Sequence, residues 1–273
     1  MIVAIDFGIS NTDIAISDED KISFYSSSSN FTEINGDSVK DLLKKHNIDI
    51  SCVKIIGVTG GKSSDLDDCL EGITIVKINE IEAIGLGAKK IYGIDDNSTL
   101  VVSAGTGTAC VHVQGNNFNH LGGIAVGGGM LEGLGSLLFK NSHGLEINEF
   151  AQKGSRAKLD LLIGDVVNKI GNLSPEITAV NFGQARNSSA DTIENTSAAL
   201  CNMIGEVIGT VTYLNAFLIG SEKACFIGRT SYLTEIISGI NQRLKLAGIQ
   251  GKYNENREYG NVIGVLESIK NHP

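Results

Sequence analysis

Ile2-Val3-Ala4-Ile5-Asp6-Phe7-Gly8-Ile9-Ser10-Asn11-Thr12 is an apolar run that breaks into a carboxylate, a glycine and hydroxyl-bearing residues before turning apolar again. About a hundred residues later the pattern returns as Leu100-Val101-Val102-Ser103-Ala104-Gly105-Thr106-Gly107-Thr108. Each reads as a strand feeding a tight turn whose glycines let the backbone approach a ligand and whose N–H groups and hydroxyls can cradle phosphate oxygens. A third glycine cluster, Gly127-Gly128-Gly129, opens an apolar helical stretch. Two strand-turn-strand units of the same kind predict two related half-domains clasping one nucleotide.

Composition fits that picture. The chain has 273 residues, 42% hydrophobic and 19% charged, enough for one large or two medium domains with a real core. A formal charge of −9 argues against a nucleic-acid or anionic-membrane surface, since either needs clustered Lys and Arg. No apolar stretch reaches ~18 residues, so no membrane span is expected. The first residues read as a core strand, so no signal peptide is expected either. Five scattered cysteines without a C-x-x-C pair point to reduced thiols, a cytoplasmic setting and no zinc or iron–sulfur site. Glycine is in excess at 33 residues against an average of about 7%, and with two prolines that excess belongs to turns and helix ends.

Strands are predicted at 1–5, 12–17 and 22–25 as an antiparallel meander, then at 52–58 and 73–76, with helices at 37–45 (capped by Asp37) and 80–92. The polar run Ile94-Asp95-Asp96-Asn97-Ser98 marks the boundary between an N-terminal lobe, 1–96, and a C-terminal lobe, 97–273. The second lobe starts over with strands at 100–102, 110–114 and 118–121. Helices follow at 129–139, 147–153, 160–167 and 192–218, then a strand at 224–227 and helices at 231–246 and 261–270. The expected fold is α/β, two lobes with a nucleotide cleft between them.

Asp6 can hold Mg²⁺ through water while Gly8 and Ser10 meet phosphate oxygens; an Asx-type turn is the plain alternative. Gly105, Thr106, Gly107 and Thr108 supply free backbone and two hydroxyls. Gly127, Gly128 and Gly129 bring a helix N-terminus, favourable to anions, beside a flat ring or ribose. Glu80 and Glu82 open a helix, where carboxylates are ordinary dipole partners; at a cleft wall, one of them can take a proton from a substrate hydroxyl. Arg229 follows an apolar strand and has two readings, a phosphate contact and a surface salt bridge. No Ser-His-Asp set, GxSxG elbow or eight-residue P-loop is present.

With these residues the chain resembles the type II pantothenate kinases of the actin-like, sugar-kinase and heat-shock ATPase superfamily. The likeness runs through Ile5-Asp6-Phe7-Gly8, Val58-Thr59-Gly60-Gly61, Glu80-Ile81-Glu82-Ala83 and Gly105-Thr106-Gly107-Thr108. It continues through the glycine block from Gly122 to Gly135, then Asn181-Phe182-Gly183, Ile204-Gly205-Glu206-Val207 and Phe226-Ile227-Gly228. The resemblance implies an actin-like ATPase (ribonuclease H-like) fold. It implies ATP and Mg²⁺ bound by the Asp6 and Gly105–Thr108 turns, with Gly127–Gly129 near adenosine and Gly228 among the nucleotide contacts. It also implies a homodimer through second-lobe helices, and a catalytic Glu at Glu80, or at Glu82 because the segment to Gly85 is about two residues short against the family.

The resemblance implies phosphorylation of pantothenate to 4'-phosphopantothenate, the first step of coenzyme A biosynthesis. The alternatives are another small hydroxyl-bearing acceptor, a regulatory homologue without catalysis, and an ATPase activator of the iron–sulfur type. Three positions depart from the family pattern: His120 stands where an Arg holds the acyl substrate, Ala109 where a Ser contacts it, and Asp13 where a Lys follows the first phosphate loop. Arg to His removes a permanent charge and a bidentate fork. The nucleotide half of the pattern is complete; the pantothenate half is altered.

Overall fold

Val3, Ala4 and Ile5 of β1 (Ile2–Phe7) are fully buried, which places this strand inside a sheet covered on both faces. The computed structural model describes residues 1–19, 21–29, 33–61, 63–95, 97–167, 174–186 and 189–270. After β1 come β2 (Asn11–Asp18), β3 (Lys21–Ser28), α1 (Gly36–Lys45), β4 (Ile55–Thr59), β5 (Cys69–Leu70), β6 (Ile73–Lys77) and α2 (Glu80–Tyr92). The chain continues with β7 (Thr99–Ala104), β8 (Thr108–Gln114), β9 (Asn117–Ile124), α3 (Gly128–Phe139) and α4 (Gly144–Lys153). A small excursion, β10 (Leu161–Leu162), α5 (Ile163–Val166) and β11 (Thr178–Val180), precedes α6 (Ile193–Ile219). The last elements are β12 (Lys223–Ile227), α7 (Thr234–Leu246), β13 (Gln250–Lys252) and α8 (Gly260–Ile269).

The two large sheets repeat one topology. In the first, of order β3-β2-β1-β4-β6-β5, an antiparallel meander continues into parallel β4 and β6. In the second, of order β13-β12-β7-β8-β9, a meander continues into parallel β12 and β13. The strands of the two sheets fall on either side of residue 96, and Asp96 itself lies outside the described residues.

Val39, Leu42 and Leu43 of α1 close one face of the first sheet over Ile5, Ile14 and Ile56. In the second lobe, Leu131, Ile147, Leu200, Ile204, Ile236 and Ile240 pack from four helices onto Leu100, Val102 and Phe226. Each such side chain removed from water contributes about 1.5–3 kcal/mol. Two further helices, α2 and α8, cross between the lobes. Ile84 and Ala88 of α2 pack on Val101, Val111 and Cys225 of the second sheet, whereas Val262, Val265 and Leu266 of α8 pack on Ala4 and Ala15 of the first. They touch backbone to backbone, since a Cβ on Gly87 or Gly264 would overlap the opposite helix. Both helices begin at the cleft floor.

Several predicted elements shift. α1 is capped by Asn35, whose side chain accepts from the Ser38 amide, while Asp37 sits in the first turn paired with Lys40 at 2.7 Å. β4 starts at Ile55 after a short 3₁₀ turn, and residues 160–167 hold a two-residue strand and one helical turn rather than a helix. α4 starts at Gly144, and α7 at Thr234 after the 3₁₀ turn Arg229–Tyr232. α6 is long and apolar enough by length and composition to cross a bilayer, against the expectation of no such stretch. It lines the second-lobe core and carries buried Glu206, which accepts from Asn181 Nδ2 at 2.9 Å and pairs with Arg243 at 3.1 Å.

Candidate active site

β1 ends by delivering Asp6 to the cleft floor. Asn261, in the first turn of α8, donates through Nδ2 to Asp6 Oδ2 at 2.9 Å. Asp13 lies directly opposite Asp6 in the β1–β2 register, so both side chains share one face. Burial pushes the Asp6 carboxyl up to about 7, the Asn261 bond opposes this, and the nearby charges of Asp13 and Glu80 add to the rise. Such a group holds its negative charge reluctantly until a cation arrives. Gly60, at φ +77, turns the chain after β4, and a Cβ there would overlap Asp6 Oδ1. Glycine at this position keeps the carboxylate accessible.

The two turns meet across the cleft. Ser10 Oγ and Thr106 Oγ1 are 2.8 Å apart, linking the loop after β1 to the loop after β7. Ser29 Oγ donates to the Gly8 carbonyl at 2.7 Å and steadies the first loop. In the second, the Gly105 amide donates to the Gly107 carbonyl at 2.9 Å, and Thr108 Oγ1 donates to the Val126 carbonyl at 2.8 Å. The Thr108 hydroxyl proton is thus committed to the loop itself. The α3 start behaves differently from its sequence reading. The Gly128 and Gly129 amides donate to the Gly105 and Thr106 carbonyls, so these two helix N–H groups brace the turn instead of facing an anion.

Asp6, Gly8, Ser10, Glu80, Gly105, Thr106, Gly107, Thr108, Ala109, His120, Gly128, Gly129 and Gly228 all line one cavity of about 1240 Å³. That is ample for a nucleotide and a second small molecule. Gly127 does not line it; a Cβ there would come within 2.7 Å of the Gly105 carbonyl oxygen, so this residue packs behind the turn.

The two first-turn carboxylates of α2 diverge. Asn79 caps the helix through the Ile81 amide at 2.9 Å, which fixes Glu80 at the first helical position, where a negative side chain suits the helix dipole. Glu80 opens into the cavity, and Glu82 instead accepts from Ser268 Oγ of α8 at 3.0 Å. At the far wall, β8 and β9 shift register between Cys110 and Val111, beside Ala109 and His120, and His120 is exposed at the cavity edge. Such irregularities re-aim side chains near binding sites.

Arg229 leaves the end of β12 and reaches across the cleft to the first sheet. Its Nη1 and Nη2 donate to the two carboxylate oxygens of Asp13, each at 2.6 Å, and Nη2 also donates to Ser26 Oγ at 3.0 Å. Of the two sequence readings for Arg229, the ion pair is realised, inside the cavity rather than on the outer surface. Sequence reasoning missed Asn261 and the wall formed by Glu132, His143, Tyr232 and Tyr259. The α8 start offered only a preceding glycine as a signal.

The family described as Fumble matches residues 89–238. The type II pantothenate kinase of Bacillus cereus (strain AH820) is 33% identical over 255 residues, 88% of each chain, and that of strain ZK / E33L is 31% identical over the same shares. The enzyme of the same name from Oceanobacillus iheyensis is 33% identical over 178 residues, 63% of this chain and 66% of that one. Among solved structures, the activator of the 2-hydroxyisocaproyl-CoA dehydratase from Clostridium difficile with bound ADPNP superposes with TM-score 0.63 and 14% identity, covering 100% of this chain and 98% of that one. A ROK family glucokinase from Streptomyces griseus in complex with glucose and AMPPNP superposes with TM-score 0.57 and 14% identity, covering 98% of both. At those identities the structures speak for the fold alone, and it is the two-lobed actin-like ATPase fold. By sequence over nearly its whole length, with the repeated lobes and their glycine turns in place, the chain belongs to the type II pantothenate kinase family.

Proposed function

We propose that the protein transfers the γ-phosphoryl group of ATP to the 4'-hydroxyl of pantothenate, giving 4'-phosphopantothenate and ADP, the opening step of coenzyme A biosynthesis. The observation that carries this reading is the convergence of Asp6, Glu80 and the two glycine-hydroxyl turns on one cavity, in a chain with relatives of that name. Glu80 is the general base: it takes the hydroxyl proton as the oxygen attacks phosphorus and ADP leaves. The Gly8–Ser10 and Gly105–Thr108 turns fix the phosphates with oriented dipoles, and Gly228 and the α3 start close the nucleotide side. Ala109 and His120 stand on the acceptor side.

The residues present fit Mg²⁺. Asp6 offers a carboxylate oxygen in a cavity open to phosphates, and Mg²⁺ is usually bound by one or two carboxylates together with substrate phosphates. Asp6 would hold the ion, and the chemistry the ion would supply is neutralisation of the phosphate charge. We read residues 1–96 and 97–273 as the two lobes, with α2 and α8 crossing between them. The protein is read as a cytoplasmic homodimer. Support for a dimer comes from exposed large apolar side chains, which past the first lobe include Leu137, Leu138, Leu214, Phe217 and Leu218, whereas only Ile9 and Ile22 are so exposed among the described residues of the first lobe. Neither nucleic acid nor membrane is part of the reading.

The test is ADP release from ATP and Mg²⁺ with and without pantothenate. Release that depends on pantothenate supports the reading. Nucleotide binding without any such dependence favours a different acceptor or a regulatory role.

A further inference from the structure

Among the described residues lining the cavity, Arg229 is the only Lys or Arg, and the cavity also receives the carboxylates of Asp6, Asp13, Glu80, Glu132 and Glu258. Its position is defined from three sides. Behind it, Thr230 Oγ1 donates to the Gly105 carbonyl at 2.7 Å, tying the segment to the second glycine turn. In front, both terminal nitrogens meet Asp13 of the first sheet. To the side, the guanidinium lies 5.7 Å from the Tyr259 ring centroid, and that ring is itself stacked on Phe24. A side chain with this much rotamer freedom is held in one place only when several contacts agree.

That place adjoins the Asp6 carboxylate. Asp13 is the cross-strand neighbour of Asp6, and Arg229 lies close enough to Asp6 to act on its ionisation, as does Glu80. The guanidinium therefore shares one cavity with the carboxylate suited to Mg²⁺ and with Glu80, and both charges act on Asp6. Asp13 and Ser26 take one N–H of Nη1 and both of Nη2. The donors left for phosphate oxygens are the Nε and second Nη1 N–H groups of a plane that keeps its charge at any working pH.

We propose that Arg229 binds the terminal phosphate of the nucleotide and that Asp13 is its positioning residue, gripping it from the opposite lobe so that cleft closure and phosphate recognition are one event. The ligand's nature rests on the kinase reading given above. Arg229 contributes attraction for the γ-phosphate, absent from a diphosphate. Asp13 contributes the fixed angle of the fork, and Ser26 completes the hold on Nη2.

The experiment measures calorimetric affinity for a non-hydrolysable ATP analogue, adenylyl imidodiphosphate, and for ADP, both with Mg²⁺. Loss of a charge-assisted bond predicts that Arg229→Gln weakens the analogue about tenfold or more while ADP changes by less than about twofold. Unchanged ADP binding also shows that the variant is folded. Asp13→Asn, with Arg229 still present, is expected to reduce the same triphosphate preference by a smaller factor, and Arg229→Lys to keep part of it. An unchanged preference in Arg229→Gln, or an equal loss for both nucleotides, overturns the phosphate role. A preference unchanged or raised in Asp13→Asn overturns the positioning role. Failure of the native chain to bind either nucleotide overturns the kinase reading and this inference with it, whereas intact binding with no Arg229 effect overturns this inference alone.

Discussion

Glu82 hydrogen-bonds across the α2–α8 crossing to Ser268, 186 residues away, and this contact separates it from Glu80, two residues earlier on the same helix. The bond uses Glu82 Oε1 and turns the side chain onto α8, leaving Glu80 to face the cavity. Glu80→Gln is therefore expected to lower turnover by about 10²–10⁴-fold while ATP affinity is kept, since a positioned base commonly supplies that much. Glu82→Gln retains an acceptor for Ser268 and is expected to stay near native turnover. Steady-state kinetics of the two variants decide between the carboxylates.

Asp6 makes stability depend on pH in a direction opposite to that of a salt-bridged carboxylate. Its folded value of about 7 lies above the ordinary 3.8, so between those pH values the folded chain holds a proton that the unfolded chain has released. Stability contributed at this site is lost as pH rises through that window and levels off above it. Asp6→Asn removes the titration and is expected to melt higher than the native chain above neutrality, with little difference in mild acid. Thermal unfolding without nucleotide at both pH values checks the sign.

Gly60 and Gly72 share a backbone requirement but differ in what surrounds them. Their φ values are +77 and +87, and a Cβ on Gly60 meets Asp6 whereas one on Gly72 meets nothing within 4 Å. Alanine at either site should cost about 1–3 kcal/mol of backbone strain, read as a lower melting midpoint. Only Gly60→Ala is expected to weaken Mg²⁺–ATP binding as well, because only there is the carboxylate displaced. Equal nucleotide affinity in both variants would detach Gly60 from the site.

His120 and Ala109 line the cavity, and neither supplies a permanently charged fork. The double change His120→Arg with Ala109→Ser is expected to lower the Michaelis constant for pantothenate tenfold or more, since a charge-assisted bond is worth about 1.5–3 kcal/mol and a neutral one about 0.5–1.5. Kinetics beside the native chain show the outcome. No gain over an already efficient native enzyme would mean that other cavity residues hold the substrate.

What the sequence revealed follows from how local each signal is. α2 is legible to the residue because Asn79 caps it and Gly93, at φ +60, ends it. Both meanders are legible because strands of six to eight residues carry a sustained apolar pattern. β5 and β13, two and three residues long, carry too little pattern to detect. The glycine turns were readable, but their wiring was not. That the α3 amides brace the Gly105 turn depends on how a later segment folds back. The bonds that complete the site, Asn261 to Asp6 and Arg229 to Asp13, span 255 and 216 residues and leave no local trace.

The most direct test of the central claim is mass analysis of pantothenate incubated with ATP, Mg²⁺ and the native chain, with Glu80→Gln as the matched control. The account predicts that pantothenate gains the mass of one phosphoryl group, in step with ADP formed, and that the control retains nucleotide binding but yields almost no product. Unmodified pantothenate in the presence of the native chain, with ATP demonstrably bound in the cleft, would contradict it.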